Sequence, residues 1–270
     1  MKIFCANSVR FIFFIILFLS SCLSIATASP YQVSPYRSAF GSIVGVSLGA
    51  YGLIKESEQS APTVSDIENL NANDIPYLDR KLMGRWNVAS QKASDLLLYT
   101  SPVAVGSLFL AHKSDALVLG SLYVETLSLT FGGTYLAKGL VYRYRPFTYS
   151  DSAPLDKKLT MEATRSFFSG HTSFVTANLV FSTKVFLDYN PAYKNKQALW
   201  ATALSTSLLT GVLRMTGGMH FFSDVMTGFV WGGAVGYLVP ELSKRKRQSV
   251  SLMPYTTYQR RGVMFQYRFR

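Results

Sequence analysis

The chain has 270 residues, a formal net charge of +12 at pH 7, and a composition that is 49% hydrophobic and 14% aromatic. This hydrophobic content is high for a soluble protein but low for a protein with many membrane spans. The basic balance favours anionic partners such as phosphates or acidic lipid surfaces. Nucleic acid is not expected as a partner, because the basic residues form no single tract with interleaved aromatic side chains.

The first 28 residues have the pattern of a secretory signal peptide. An apolar run at 11–26 follows two basic residues, and "ATA" ends at Ala28, where we expect cleavage. A competing interpretation treats "LSSC" at 19–22 as a lipobox, with Cys22 as a lipidated amino terminus. Both interpretations predict export to or through a bacterial-type inner membrane.

Cys5 and Cys22 are the only cysteines, and both lie in this leader. The mature domain is therefore predicted to contain no disulfide, no thiolate nucleophile and no cysteine-based zinc site.

Six apolar stretches follow in chain order, at 38–54, 95–111, 116–137, 172–187, 198–213 and 222–240. Several approach the length of about 20 residues that crosses a bilayer. Glu125 and Lys184 interrupt two of them, and an ionisable residue at membrane depth must face the bundle interior or water. We expect an all-α fold, a membrane-embedded bundle of five or six apolar helices, in which 38–54 is the least certain span.

The apolar stretches divide the chain into four predicted segments. After the leader come an N-terminal helix with a polar connecting segment at 29–94, a catalytic helical core at 95–242, and a basic tail at 243–270. Apolar residues alternate in the tail around Gly262, which predicts a short terminal β-hairpin.

The first cluster of reactive residue types is "KGLVYRYRP", with Lys138 and Arg145 at the end of an apolar helix. Seven residues are two helical turns, so both cations are expected on one helix face. A solvated helix end or a contact with lipid headgroups would explain this cluster equally well.

The second cluster is Ser169-Gly170-His171, which leads into the stretch at 172–187. Free backbone N–H groups at a helix start favour a bound anion, and His171 would direct a titratable imidazole at it. The alternative is a helix cap with an incidental histidine.

The third cluster is "RMTGGMHFFSD", with Arg214, His220 and Asp224. Gly217 and Gly218 mark a tight loop, and the spacing of His220 and Asp224 predicts that they share a face at the start of the last helix. A carboxylate on one imidazole nitrogen fixes the tautomer and leaves the other nitrogen free to attack. A purely structural His–Asp pair is the alternative.

All three clusters fall on one side of the predicted bundle. They would bring together three cations, a set of backbone amides, two of the three histidines and one carboxylate. Such a set suits a phosphate-sized trianion with a nucleophile on one side and an acid on the other.

The three clusters together resemble the type 2 phosphatidic acid phosphatase (PAP2) superfamily, which shares its site with vanadium haloperoxidases. The family pattern is K-x6-R-P, then P-S-G-H, then S-R-x5-H-x3-D. The resemblance runs from about residue 80 to 240, with two departures: Phe168 replaces the proline and Leu213 replaces the serine. The matching residues are Lys138, Arg145-Pro146, Ser169-Gly170-His171, Arg214, His220 and Asp224.

The resemblance implies a role for each matching residue. His220 would attack phosphorus and form a phosphohistidine, oriented by Asp224, while His171 would protonate the leaving oxygen and then activate water. It implies neither a metal ion nor another cofactor, since cations hold the phosphate. The groups that would hold the non-bridging oxygens are Lys138, Arg145, Arg214, the Ser169 hydroxyl and the Gly170 amide.

By this resemblance, the chain is expected to be a phosphatase for a lipid phosphate or diphosphate monoester at a membrane. The alternatives are an exported acid phosphatase for small soluble esters, a vanadate-dependent haloperoxidase, and a non-catalytic binder of anionic lipid. The sequence leaves the oligomeric state open.

The expected location is a bacterial inner membrane with a periplasm-facing active site. This orientation assumes that 38–54 does not cross the bilayer and that the basic "SKRKRQ" after residue 242 lies inside. If all six stretches cross after an exported amino terminus, the site lies inside instead. A soluble periplasmic protein or a lipoprotein is the remaining alternative.

Overall fold

The computed structural model describes residues 29–245, 250–257 and 260–267, so the predicted leader and both of its processing sites lie outside the described residues. The described chain is mostly helical. Its α-helices are α1 (Pro35–Ser57), α2 (Val64–Glu68), α3 (Tyr77–Arg80), α4 (Val88–Thr100), α5 (Pro102–Ala111), α6 (Ala116–Leu140), α7 (Leu155–Lys158), α8 (Gly170–Tyr189), α9 (Lys196–Thr216) and α10 (Phe222–Leu242). Short 3₁₀ turns lie at Ala72–Asp74, Lys113–Asp115, Pro146–Tyr149 and Met161–Thr164.

Polar caps and glycines set the helix boundaries. The side chain of Asn87 accepts the N–H of Ser90 at 3.0 Å and begins α4. Helix α9 stops before Gly217, and Gly218 follows with a φ of +75°. A Cβ at Gly218 would lie 1.8 Å from the carbonyl oxygen of Arg85, so this tight loop requires glycine.

Helices α1 and α6 pack side by side and run in the same direction, since residue numbers rise together along their contact. A Cβ at Gly45 would lie 2.4 Å from the carbonyl oxygen of Ser128, and one at Gly52 would lie 2.2 Å from that of Tyr135. Glycine therefore allows the two backbones to touch. The close contact fixes the depth at which the end of α1 meets the end of α6.

Helix α8 is the centre of the bundle and contacts α5, α6, α9 and α10. The largest apolar cluster surrounds its second half, where Phe181 and Val185 are fully buried. Leu122 of α6 and Val239 of α10 close this core from two sides.

The start of the described chain is fixed to the end of α10. Tyr31 is 1% exposed, and its hydroxyl donates to Asp188 at 2.8 Å. The N–H of Gln32 donates to the carbonyl oxygen of Ser243 at 2.8 Å. We call residues 29–33 and 243–245 the terminal clamp. His171 lies in the first turn of α8 and Asp188 lies near its end, about 25 Å away along the helix.

Three described helical segments are long and apolar enough to cross a membrane by length and composition: Pro35–Ser57, Val88–Ala111 and Lys113–Leu140. They support a membrane location for the chain. The expectation that 38–54 does not cross is at odds with the 23-residue helix α1, which runs along α6. Glu125 and Lys184, which were expected to face the bundle interior or water, are both buried. Glu125 contacts Arg37 at 3.6 Å, and Lys184 contacts Glu241 at 2.7 Å.

The tail forms two antiparallel strands, β1 (Val250–Thr257) and β2 (Arg260–Tyr267), where the alternation of apolar residues predicts a hairpin. Gly262 lies within β2, opposite Tyr255.

Candidate active site

A cavity of about 410 Å³ lies at the end of the bundle opposite the terminal clamp. Helices α4, α6, α8 and α9 and the loops around them enclose it. The structure brings both expected histidines and all three expected cations to this one cavity. The predicted site residues that line it are Lys138, Arg145, Gly170, His171, Arg214 and His220.

Lys138 and Arg145 reach the cavity by a different route from the one expected. Helix α6 ends at Leu140, and Val141 and Arg145 have extended backbones, so the two cations do not share a helix face. The prediction of two helical turns was wrong. Instead, the extended segment pairs with the loop before α8, where the N–H of Arg145 donates to Ala163 at 2.8 Å.

The guanidinium groups of the cavity are buried and only partly paired. Arg145 is 3% exposed and donates from Nη2 to Glu162 at 2.6 Å, but its Nε and Nη1 have no partner among the described residues. Nε of Arg214 likewise lacks a described partner. A buried cationic N–H without an acceptor is costly, so these groups suit an oxyanion that enters the cavity.

His220 is 2% exposed, and its Nδ1 lies 2.7 Å from the main-chain oxygen of Ser166. A carbonyl oxygen can only accept, so Nδ1 carries the proton and Nε2 keeps a free lone pair. Burial, then the nearby charges of Arg145, Arg214 and Lys138, hold the pKa of His220 well below its ordinary value. The imidazole is therefore neutral at pH 7 and has the protonation state of a nucleophile.

The sequence led us to expect a direct hydrogen bond between Asp224 and His220, but the structure does not form one. Helix α10 begins at Phe222, so His220 precedes it, and Nδ1 of His220 lies 3.9 Å from Oδ2 of Asp224. Asp224 accepts from the Ser166 hydroxyl at 2.5 Å and from the N–H of Phe221 at 2.8 Å. Its carboxylate thus caps α10 and holds the residue that orients the imidazole.

Arg143 and Asp79 support Asp224 from outside the cavity. Nη1 of Arg143 pairs with Asp224, and Nη2 pairs with Asp79 at 2.7 Å. Asp79 is fully buried and also accepts from the N–H and the hydroxyl of Ser223, at 3.0 and 2.6 Å. Burial raises the pKa of Asp79, but hydrogen bonds from Ser223 and the pairing with Arg143 outweigh it and lower this pKa below its ordinary value.

His171 lines the cavity from the first turn of α8 and pairs with Asp95 of α4. The distance from Nε2 of His171 to Oδ1 of Asp95 is 2.7 Å, and the same oxygen lies 3.4 Å from Nη1 of Arg214. Burial, followed by the charge of Arg214, lowers the pKa of His171 to about 4, while Asp95 opposes this shift. A dianion bound beside the ring would raise the same pKa and favour the protonated, acidic form.

Ser169 and Gly170 start α8 where the sequence predicts a helix start. The Ser169 hydroxyl is fully buried, accepts the N–H of Thr172 at 3.4 Å, and lies 2.9 Å from the Thr172 hydroxyl. Gly170 lines the cavity, and a Cβ there would lie 3.3 Å from Thr134. In the described structure the serine side chain caps the helix, and the glycine faces the cavity.

Two further carboxylates border the cations. The charge of Arg145 lowers the pKa of Glu162 by more than burial raises it, so the carboxylate of Glu162 is charged. Glu56, at the end of α1, is 6% exposed, lines the cavity and pairs with Arg165.

Sequence reasoning missed several groups around the cavity: Glu56, Asp79, Asp95, Arg143, Glu162 and Ser166. Most of their contacts join residues far apart in the chain, so spacing carries no signal for them. Regular extended backbone would place Arg143 and Arg145, two residues apart, on one face, so spacing gave no signal for Arg143 either. In the structure Arg143 pairs with Asp224, while Arg145 lines the cavity.

Comparison with known proteins places these motifs in a family. The model of the PAP2 superfamily matches residues 118–248. The Schizosaccharomyces pombe protein named "Probable diacylglycerol pyrophosphate phosphatase 1" is 32% identical over 95 residues, which are 33% of this chain and 34% of that protein. The chain therefore spans about a third of the length of this relative.

A crystal structure of a transmembrane PAP2 type phosphatidylglycerolphosphate phosphatase from Bacillus subtilis is similar over 73% of this chain and 94% of that chain. It has 23% sequence identity and a TM-score of 0.41. The family match at 118–248 includes every residue of the three motifs. Over this region, which is just under half of the chain, the protein matches the model of the PAP2 superfamily.

Proposed function

We propose that the protein is a phosphatase that hydrolyses a lipid phosphate ester through a phosphohistidine intermediate. The observation that carries the proposal is the state of His220. Its imidazole is buried and neutral, its Nδ1 proton is held by Ser166, and it lines a cavity with unpaired guanidinium N–H groups. This arrangement joins a nucleophile to an oxyanion site.

In the first step, the Nε2 lone pair of His220 attacks phosphorus and forms the P–N bond. The P–O ester bond breaks, its electron pair stays on the leaving oxygen, and His171 gives that oxygen a proton. In the second step, water attacks phosphorus and gives a proton to His171, and the P–N electron pair returns to Nε2. The products are an alcohol and inorganic phosphate. Asp95 stabilises the imidazolium form of His171, which is present before the first step and again after the second.

Cations hold the phosphate in both steps. Arg145 and Arg214 supply the buried N–H groups that lack described partners, and Lys138 borders the same cavity. The Gly170 amide and the Ser169 hydroxyl are the further proposed ligands, implied by the family motif. These fixed charges stabilise the transferring phosphoryl group, so the proposed reaction uses no metal ion.

A lipid is the favoured substrate, because apolar helices surround the cavity and Leu98 and Phe174 line it. The printed name of the pombe relative, a diacylglycerol pyrophosphate phosphatase, points to the same substrate class. A phosphatase for small soluble esters is the second candidate, because the chain is less apolar than expected for a protein with many membrane spans. Release of the protein from membranes by salt alone would favour this second candidate.

The test is a phosphate-release panel on the purified protein. Its substrates are phosphatidic acid, phosphatidylglycerol phosphate, undecaprenyl diphosphate and a chromogenic ester. His220→Ala should abolish release, and His171→Ala should reduce it by about 10²–10⁴-fold. His112→Ala is the matched control, because His112 stacks on Tyr189 at the far end of the bundle. Wild-type turnover in both site variants would refute the assignment.

The same protein can be tested for the intermediate. Substrate labelled in its phosphate should leave acid-labile, base-stable label on the chain when the reaction is quenched early. Label in His171→Ala but not in His220→Ala would support the assigned roles. Halide oxidation that depends on added vanadate would instead identify a haloperoxidase.

For orientation, we propose a bacterial inner membrane with the site facing the periplasm. The cavity and the terminal clamp lie at opposite ends of α8, so Ser29 and Arg245, where the basic tail begins, share the other face. A cytoplasmic tail agrees with the positive-inside tendency. If α1 crosses the bilayer in this orientation, Ser29 lies on the cytoplasmic side. The orientation is then incompatible with an amino terminus that was exported and cleaved before Ser29. A reporter fused after Leu242 that works only in the periplasm would reverse the assignment.

A further inference from the structure

Glu56 is the last residue on the buried face of α1. That face carries Gly45, Gly49 and Gly52, which let α1 lie directly on α6. The contact brings Glu56 to the wall of the cavity, where it is 6% exposed. It lies outside residues 118–248, so the family motifs assign it no role.

The two oxygens of Glu56 are in different situations. Oε1 pairs with Nη1 of Arg165, and Oε2 is buried with no partner among the described residues. Because Arg165 already compensates the charge, the free lone pairs of Oε2 suit a neutral donor better than a second cation. A buried acceptor without a donor is unfavourable, so a ligand that supplies a hydroxyl would be bound in preference to one that does not.

The charges around the cavity restrict the phosphate group as well. Among the described residues, the cations Lys138, Arg145 and Arg214 and the carboxylates Glu56, Asp95 and Glu162 line the cavity. Arg165, which pairs with Glu56 and Glu162, adds a fourth cation beside it. The cations exceed the carboxylates by one. A phosphate monoester, with a charge near −2, suits this balance better than a diphosphate, which would bring further negative charge into a cavity that already holds three carboxylates.

We propose that Glu56 selects substrates whose alcohol part carries a free hydroxyl beside the phosphate monoester, and disfavours diphosphates. This inference rests on the proposed phosphatase function. Oε2 accepts the substrate hydroxyl while the phosphate lies among the guanidinium groups. Glu56 is thus a specificity-determining residue supplied by the N-terminal helix.

The test compares three substrates with the full chain in detergent micelles. They are phosphatidylglycerol phosphate, its analogue in which hydrogen replaces the free hydroxyl of the headgroup glycerol, and diacylglycerol diphosphate. Glu56→Gln should lower kcat/KM for the first about tenfold, since a neutral amide oxygen is a weaker acceptor. It should leave the analogue within about twofold and raise kcat/KM for the diphosphate severalfold.

Glu58→Gln is the matched control, because Glu58 is exposed and pairs with Lys55 outside the cavity. It should change none of the three values. An equal loss on all three substrates in Glu56→Gln would reduce Glu56 to a structural partner of Arg165 and overturn the inference. A wild-type protein that releases phosphate from none of the substrates would refute the proposed function itself, and the inference with it.

Discussion

Nδ1 of His220 donates to the main-chain oxygen of Ser166 at 2.7 Å, and the hydroxyl of the same serine donates to Asp224 at 2.5 Å. Ser166 therefore stands between the two residues that the family motif pairs. The carboxylate acts on the imidazole through this serine and through its negative charge. Tautomer and orientation are set by a main-chain oxygen, which no side-chain substitution removes.

Ser166→Ala should consequently be milder than the loss of His220. The main-chain oxygen remains and keeps Nδ1 protonated, but Asp224 loses one hydrogen bond to a charged group, worth about 1.5–3 kcal/mol. We expect kcat to fall about tenfold with little change in KM. Steady-state phosphate release measures both constants, with the exposed Ser107→Ala as control. Complete inactivation would mean that the hydroxyl, and not the main chain, orients His220.

Asp95→Asn tests the acid role of His171. Asparagine still offers an oxygen to Nε2 but no negative charge, so the pKa of His171 should fall further below its present value of about 4. Since the protonated ring is the acid, the limb of the kcat/KM profile on which activity falls with rising pH should move to lower pH by about one unit. A profile of unchanged shape at reduced height would contradict this role.

The buried histidines should make the fold sensitive to acid. Below about pH 6.5, His171 and His220 become protonated in the unfolded chain but stay neutral in the folded protein, because folding lowers the pKa of both. The free energy of unfolding should therefore decrease as pH falls, by up to about 1.4 kcal/mol per pH unit for each histidine. Thermal unfolding in detergent, followed by tryptophan fluorescence, measures this slope. His220→Asn should flatten it, and parallel curves for the two proteins would be evidence against a neutral buried imidazole.

Gly45→Ala should separate α1 from α6. A methyl group there would meet the backbone of Ser128 at 2.4 Å, an overlap that typically costs about 1–3 kcal/mol. Gly106→Ala is the matched control, because a Cβ at Gly106 of α5 has no described atom within 4 Å. That variant should be more stable by about 0.5–1 kcal/mol. Melting temperatures that fall equally in both variants would contradict the interhelical contact as the cause, because Gly106 has no such contact.

The helices were predictable because apolar length and polar interruptions are local properties of the sequence. All six apolar stretches are helical, although 95–111 is divided between α4 and α5 at Ser101-Pro102. The chemically reactive residues were also predictable, since a phosphate site needs cations, imidazoles and free amides at fixed positions. Lys138, Arg145, His171, Arg214 and His220 meet at one cavity for this reason.

The geometry that joins these residues was not predictable. Lys138 and Arg145 have helical spacing, yet α6 ends between them, because the following segment pairs with the loop before α8. Asp79 and Asp95 lie in or beside the polar connecting segment, and their partners are far along the chain. A single sequence holds no record of such contacts. The boundaries of the 95–242 core and the role of each site residue remain predictions.

The direct backbone contact of α1 with α6 has a practical consequence for truncated versions of the protein. A fragment trimmed to the family match would expose the glycine-lined surface of α6 and would lose Glu56 from the cavity wall. The smallest fragment able to fold and to discriminate among substrates should therefore begin no later than Pro35, well upstream of the sequence by which the family is recognised.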